Sequence, residues 1–132
     1  MGKNIVETVK ALPGLLSLKP ATDQQIAAAE IQLRTSFSDE YITYLKEFGA
    51  ILADGIELTG IAKSDHRNVV SVTERERSLN PNVPNGMYVI ENAYVDGIVI
   101  WQDSAGGVFK TGGESVPIKI GDSIVEYLMK RD

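Results

Sequence analysis

The hydrophobic period changes at Gly49, and that change constrains the fold of this 132-residue chain more than any other feature. Before it, apolar residues recur at steps of three and four. After it, they alternate or form short blocks bounded by glycine and proline. The run "SFSDEYITYLKEFGA", residues 36–50, carries the first pattern to its end. Tyr41, Tyr44, Leu45 and Phe48 stand at i, i+3, i+4 and i+7 and so share one helical face. Ser38 is an N-cap residue, Asp39 and Glu40 complement the helix dipole in the first turn, and Gly49 supplies the left-handed stop. The aromatics are therefore expected in the core, and capping accounts locally for the two acids.

Two further helices precede this one. Ile5, Val9 and Leu12 give helical spacing over residues 3–12, with Asn4 as the cap. "LPGLLSLKPA" follows as a connector broken by Pro13, Gly14 and Pro20. Thr22 with Gln25 three residues on is a capping-box signature, and Ile26, Ala29 and Leu33 make the apolar stripe behind it.

Beyond Gly49, Ala50–Ala53 and Ile56–Thr59 read as strands joined by Asp54-Gly55, a two-residue hairpin signal. After a polar loop containing His66, Asn68 caps a helix expected to turn Val69, Val72 and Leu79 inward. Residues 87–120 then read as an antiparallel meander of four strands: Met87–Glu91, Ile98–Gln102, Val108–Lys110 and Ser115–Ile120. The block Ile98–Trp101 is apolar on both faces and belongs centrally, with Trp101 buried; Pro117 puts the last strand at an edge. Asp122 is the expected cap of a closing helix with Ile124, Val125, Leu128 and Met129 inward. The order predicts an α+β fold: N-terminal helices packed on a mainly antiparallel sheet, then a C-terminal helix, in one domain spanning residues 1–132.

Composition removes several function classes. The chain has no cysteine and one histidine, so thiolate metal sites, disulfides and a histidine-built zinc site are excluded. No cofactor is expected. The net charge of −5 argues against direct nucleic-acid binding, which calls for a basic face. No run of about 18 apolar residues or secretory leader is present, so neither a membrane span nor export is expected, and the default compartment is the cytoplasm. No serine lies in a nucleophile elbow, and the glycines of "DSAGG" and "TGGE" are not followed by the helix a phosphate loop needs. Both read as hairpin turns, and no catalytic residue is assigned.

Charge is concentrated. Between residues 39 and 65 stand six acids (Asp39, Glu40, Glu47, Asp54, Glu57 and Asp65) against Lys46 and Lys63. A second acid-leaning stretch, residues 91–114, includes Asp96 and Asp103. Such clustering can steer a basic partner or simply form an ordinary solubilising surface; on the first reading these eight acids are the candidate partner-binding residues.

The module "TDQQIAAAEIQLRTSFSDEYITYLKEFGA" resembles the opening of the SUKH superfamily, the group of fungal Smi/Knr-type cell-wall-assembly regulators and many small bacterial proteins. Tyr41, Leu45, Phe48 and Gly49 stand where that family has its "P-x-x-Y-x-x-x-L-x-x-x-G"-like helix; Ser38 stands near the usual proline, a departure. "YVIENAYVDGIVIWQDSAGGVFKT" is similar to its strand, acidic-glycine loop, strand and turn, with Asp103, Gly107, Val108 and Phe109 in place. "IGDSIVEYLMK" is similar to its closing helix, so the likeness runs over residues 21–131. The resemblance implies binding, not catalysis. Bacterial members are similar to immunity proteins that neutralise a cognate toxin, often a nuclease, and fungal members to regulatory or scaffold modules. An enzyme or small-ligand binder is the third class. The first implies a basic protein partner; none implies a catalytic residue to carry over.

Overall fold

The computed structural model describes residues 4–93 and 97–130. In chain order it contains α1 (Ile5–Lys10), β1 (Leu16–Ser17), α2 (Asp23–Leu33), α3 (Asp39–Phe48), β2 (Ile51–Ala53), β3 (Ile56–Leu58), α4 (Val69–Leu79), β4 (Met87–Asn92), β5 (Ile98–Asp103), β6 (Val108–Gly112), β7 (Ile118–Gly121) and α5 (Ile124–Lys130). The fold class is α+β, as expected, with a closing helix. The strands form two antiparallel sheets, β1-β2-β3 and the meander β4-β5-β6-β7.

The helix starts follow their caps. Asn4 accepts from the Glu7 amide, Thr22 and Gln25 form the full capping box, Ser38 accepts from the Tyr41 amide, and Asn68 accepts from the amides of Val70 and Ser71. The Asp54-Gly55 hairpin has the expected two-residue turn, with Ala53 opposite Ile56.

The two sheets meet at Thr59. Its N–H donates to the Ile90 carbonyl at 2.9 Å and its hydroxyl to the Val89 carbonyl at 2.7 Å. The β4–β5 register shifts between Val89 and Glu91, so Ile90 drops out of that ladder and its carbonyl is free to take the Thr59 amide. Strand alternation then splits the core. Tyr88, Ile90, Ile100 and Val108 face the large cluster built with Val9, Leu33, Tyr41, Leu45 and Ile124. Met87, Val89, Val99 and Trp101 face the other way, against Val72 and Val83. Trp101 is fully buried and its indole N–H donates to Thr111 at 3.0 Å.

Three chain segments cross backbone to backbone at the end of α3. Gly49 has φ 75°, and a Cβ there would lie 2.1 Å from the Lys19 carbonyl oxygen; a Cβ on Gly60 would lie 1.7 Å from the Gly49 carbonyl oxygen. Leu18 N–H donates to Ala50 and Ile61 N–H to Gly49, so only glycine fits at either position.

Five expectations are corrected. The connector after α1 contains β1, because Leu16 and Ser17 pair with Leu52 and Ile51 of β2. Leu79 is 60% exposed. The next residue, Asn80, takes the inward place at the helix end, donating to the carbonyls of Gly113 and Ser115. Met129 is 63% exposed because the buried row of α5 is Ile124, Tyr127 and Leu128; Val125 lies at its border. The α5 cap is Ser123, not Asp122: the Ser123 hydroxyl accepts from the Glu126 amide, and the Asp122 carboxylate pairs with Lys119 at 2.8 Å. The last meander strand is at the edge, as expected, but it runs Ile118–Gly121 rather than over 115–120, so Pro117 precedes it; Val116 ahead of it and Ile118 within it are exposed.

Candidate functional site

The eight candidate acids fall into three groups. Glu40 and Asp103 serve the fold. Glu40 Oε1 accepts from the Ile124 amide at 2.6 Å and from Gln102 Nε2 at 3.0 Å, and Oε2 accepts from the Val125 amide at 3.1 Å. It therefore fixes α3 to the start of α5, where amide N–H groups have no helical partner. Asp103 Oδ1 accepts from the amides of Ala105 and Gly107 and shapes the β5–β6 turn.

Gln102, Ser38 and Tyr88 continue this network inward. The Ser38 hydroxyl and the Tyr88 hydroxyl both donate to Gln102 Oε1, at 3.0 and 2.8 Å, and the Ser38 amide donates to Tyr88 Oη at 2.9 Å. Beside it, Tyr44 donates to the Thr59 carbonyl at 2.9 Å and Tyr41 lies 3.0 Å from the Thr59 hydroxyl. Burial pushes the phenols of Tyr41, Tyr44 and Tyr88 well above the ordinary tyrosine value. These groups cross-link the core and have no access to a partner.

Glu47, Asp54 and Glu57 are placed at successive points along the segment 10–16. Glu47, on α3, is exposed and stands 3.9 Å from Lys10. Asp54, exposed in the β2–β3 turn, lies over Gly14: a Cβ there would come within 2.2 Å of its Oδ1. Its amide donates to the Pro13 carbonyl at 2.9 Å. Glu57 stands opposite Leu52, which stands opposite Leu16, so the three share the outer face of the small sheet. The other face carries Ile51 and Leu58 into the core.

The remaining acids lie elsewhere. Asp39 is exposed at the opposite end of α3, about 12 Å along the axis from Glu47. Asp65 is exposed in the loop before α4, with its Oδ1 3.4 Å from the Ser71 hydroxyl. Asp96 lies outside the described residues. His66 is exposed in that same loop.

The small sheet also presents what charge counting could not find. Leu16 is 67% exposed and Leu18 is 37% exposed. The alternation in "LLSL" was the available signal, hidden because glycine and prolines on both sides mark the stretch as a connector. The two leucines line a small hollow with Leu52 and Arg67, and Glu57 shares the face of Leu52, so this apolar contact area has charge of both signs at its border, as a recognition surface can.

No helix among the described residues is long and apolar enough to cross a membrane. No three His, Asp or Glu side chains among them come together as a metal-binding group would require. No curated protein matches the chain. A family model does: the one described as SMI1-KNR4 cell-wall, of the SUKH group, matches residues 3–110, which takes in every element from α1 to β5 and most of β6. With that match over most of its length, the chain belongs to the SMI1-KNR4 family of the SUKH superfamily.

Proposed function

We propose that this chain is a non-catalytic protein-binding domain of the immunity type. It neutralises a cognate bacterial toxin, a basic protein such as a nuclease, in the cytoplasm of the cell that makes it. The partner docks on the outer face of β1-β2-β3. The observation that carries this reading is the exposure of Leu16 and Leu18 at the small sheet that also carries Asp54 and Glu57, with Glu47 set against Lys10 ahead of it in the chain. The leucines supply the desolvated centre, and the carboxylates raise the encounter rate with a basic cleft. A regulatory or scaffold module is the second reading, favoured by the cell-wall description of the matching family model.

The test is binding to the product of a neighbouring toxin gene by surface kinetics at low and moderate salt. The triple variant Glu47→Gln, Asp54→Asn, Glu57→Gln keeps its fold and associates more slowly, on the order of tenfold at low salt, with a shallower salt dependence. Leu16→Ser raises the dissociation rate instead. Unchanged association in the triple variant removes the steering role. Absence of binding by the parent protein puts the regulatory reading ahead.

A further inference from the structure

A cavity of about 480 Å³ opens between the segment ahead of α2 and the loop ahead of α4. Leu18, Lys19, Thr22, Ile61, Lys63 and Arg67 line it. Its charge runs against the rest of the chain. Among the described residues, Lys10, Lys46, Arg75, Lys119 and Lys130 hold ion pairs. Arg34, Arg77 and Lys110 hold none, and neither do Lys19, Lys63 and Arg67, which all border this cavity. The acids nearest in sequence are turned to other partners, Asp23 to Lys46 at 3.0 Å and Asp65 to Ser71 at 3.4 Å.

Arg67 is the unusual member. Its Nε is shut off from solvent and has no hydrogen-bond partner. Arg77, whose Nε is also shut off, shows the contrast: its two Nη atoms donate to the carbonyls of Leu33, Asn85 and Met87. A planar guanidinium with an unmet donor is suited to swing onto a carboxylate or phosphate and bind it through two N–H groups. The capping box at Thr22 puts the positive end of the 11-residue α2 at the same wall. Leu18 and Ile61 add an apolar lip. The volume falls within the range of small-ligand sites and exceeds what a single phosphate fills.

We propose that this cavity binds a small organic polyanion, a compact molecule bearing two or more carboxylate or phosphate groups. Lys19 and Lys63 neutralise it at the rim, and Arg67 grips one anionic group in bidentate fashion as its buried N–H turns outward. The backbone crossing at Gly49 and Gly60 holds the two walls in place, since Lys19 and Ile61 both pack against Gly49.

The test uses pyrophosphate and citrate as probes, at fixed ionic strength, read by calorimetry and by amide chemical-shift changes. Saturable shifts confined to residues 18–25 and 60–68 are expected; a response to pyrophosphate alone assigns phosphate chemistry, and to citrate alone carboxylate chemistry. The exposed pair Lys19→Gln, Lys63→Gln weakens binding by about tenfold or more, with an unchanged circular dichroism spectrum. Arg67→Lys weakens it while keeping the charge. Lys110→Gln, which removes one positive charge on β6 and is compared with Lys19→Gln and Lys63→Gln taken singly, leaves affinity unaltered. No saturable response to either probe at concentrations on the order of ten millimolar overturns the assignment. So does an equal loss in Lys110→Gln, or binding of a polyglutamate peptide without either small anion.

Discussion

Glu40→Ala separates an acid that holds the fold from one that meets a partner. The carboxylate accepts from two α5 amides at 2.6 and 3.1 Å and from Gln102 at 3.0 Å. Its removal leaves the Ile124 and Val125 N–H groups without partners at a partly buried helix start. Gln102 retains the Gly106 carbonyl at 3.1 Å, so its loss is partial. Hydrogen bonds to a charged group contribute about 1.5–3 kcal/mol each in a dry site and less where water can replace the acceptor. Loss of a helix cap costs about 1 kcal/mol. With two amides partly reachable by water and one weakened amide pair inside, the expected cost is roughly 3 kcal/mol. For a chain of this length that lowers Tm by roughly 10 °C. Glu40→Gln keeps one oxygen but sets an NH₂ against an N–H donor, so it falls between parent and alanine. Asp39→Ala, next door but exposed, costs only the dipole contribution of about 0.3–1 kcal/mol. Thermal and urea unfolding of the three variants decide the matter. A Glu40→Ala Tm within 2 °C or so of the parent, or equal effects of Asp39→Ala and Glu40→Ala, refutes the clasp.

Phe48→Ala removes a buried ring that packs on Tyr44, with centroids 6.0 Å apart, and should cost roughly 3–5 kcal/mol in urea unfolding. At alkaline pH the buried phenols set the stability. Tyr41, Tyr44 and Tyr88 stay neutral in the native state while the unfolded chain ionises near its ordinary value of 10.0. The native state then binds more protons than the unfolded one, so stability is unaffected below that pH and falls above it. Each such phenol contributes about 1.4 kcal/mol of loss per pH unit. Tyrosinate absorbance should therefore show these three ionising together with unfolding, and ionisation ahead of unfolding would contradict their placement.

Much of the fold was legible because its signals are local. Thr22 with Gln25, Ser38, Asn68 and the Asp54-Gly55 turn each act within four residues, and each forms the contact its chemistry calls for. The α3 stripe was legible for the same reason: helical geometry alone puts Tyr41, Tyr44, Leu45 and Phe48 together. What failed depended on partners far along the chain. β1 is two residues long and exists because β2 offers it a ladder. Leu79 and Met129 stand at the ends of helical stripes, where the inward places are taken by Asn80, bonded to Gly113 and Ser115, and by Tyr127 with Leu128. The candidate site was legible only in outline. Charge counting found Glu47, Asp54 and Glu57, but it treated Glu40 and Asp103 alike with them, since no local rule distinguishes a carboxylate facing solvent from one taken up by amides 84 residues away.

The crossing at Gly49 and Gly60 also governs how such a surface can change over evolutionary time. Lys19, Ala50 and Ile61 are held to it through main-chain groups, so the position of β1 and of both cavity walls does not depend on what their side chains are. Leu16, Leu18, Lys19, Leu52, Glu57 and Lys63 can each be replaced without moving the frame that presents them. A fold built this way separates what must stay constant, two glycines, from the side chains that are free to vary around them. Mutational tolerance should thus be high across the outer face and abruptly lost at Gly49 and Gly60.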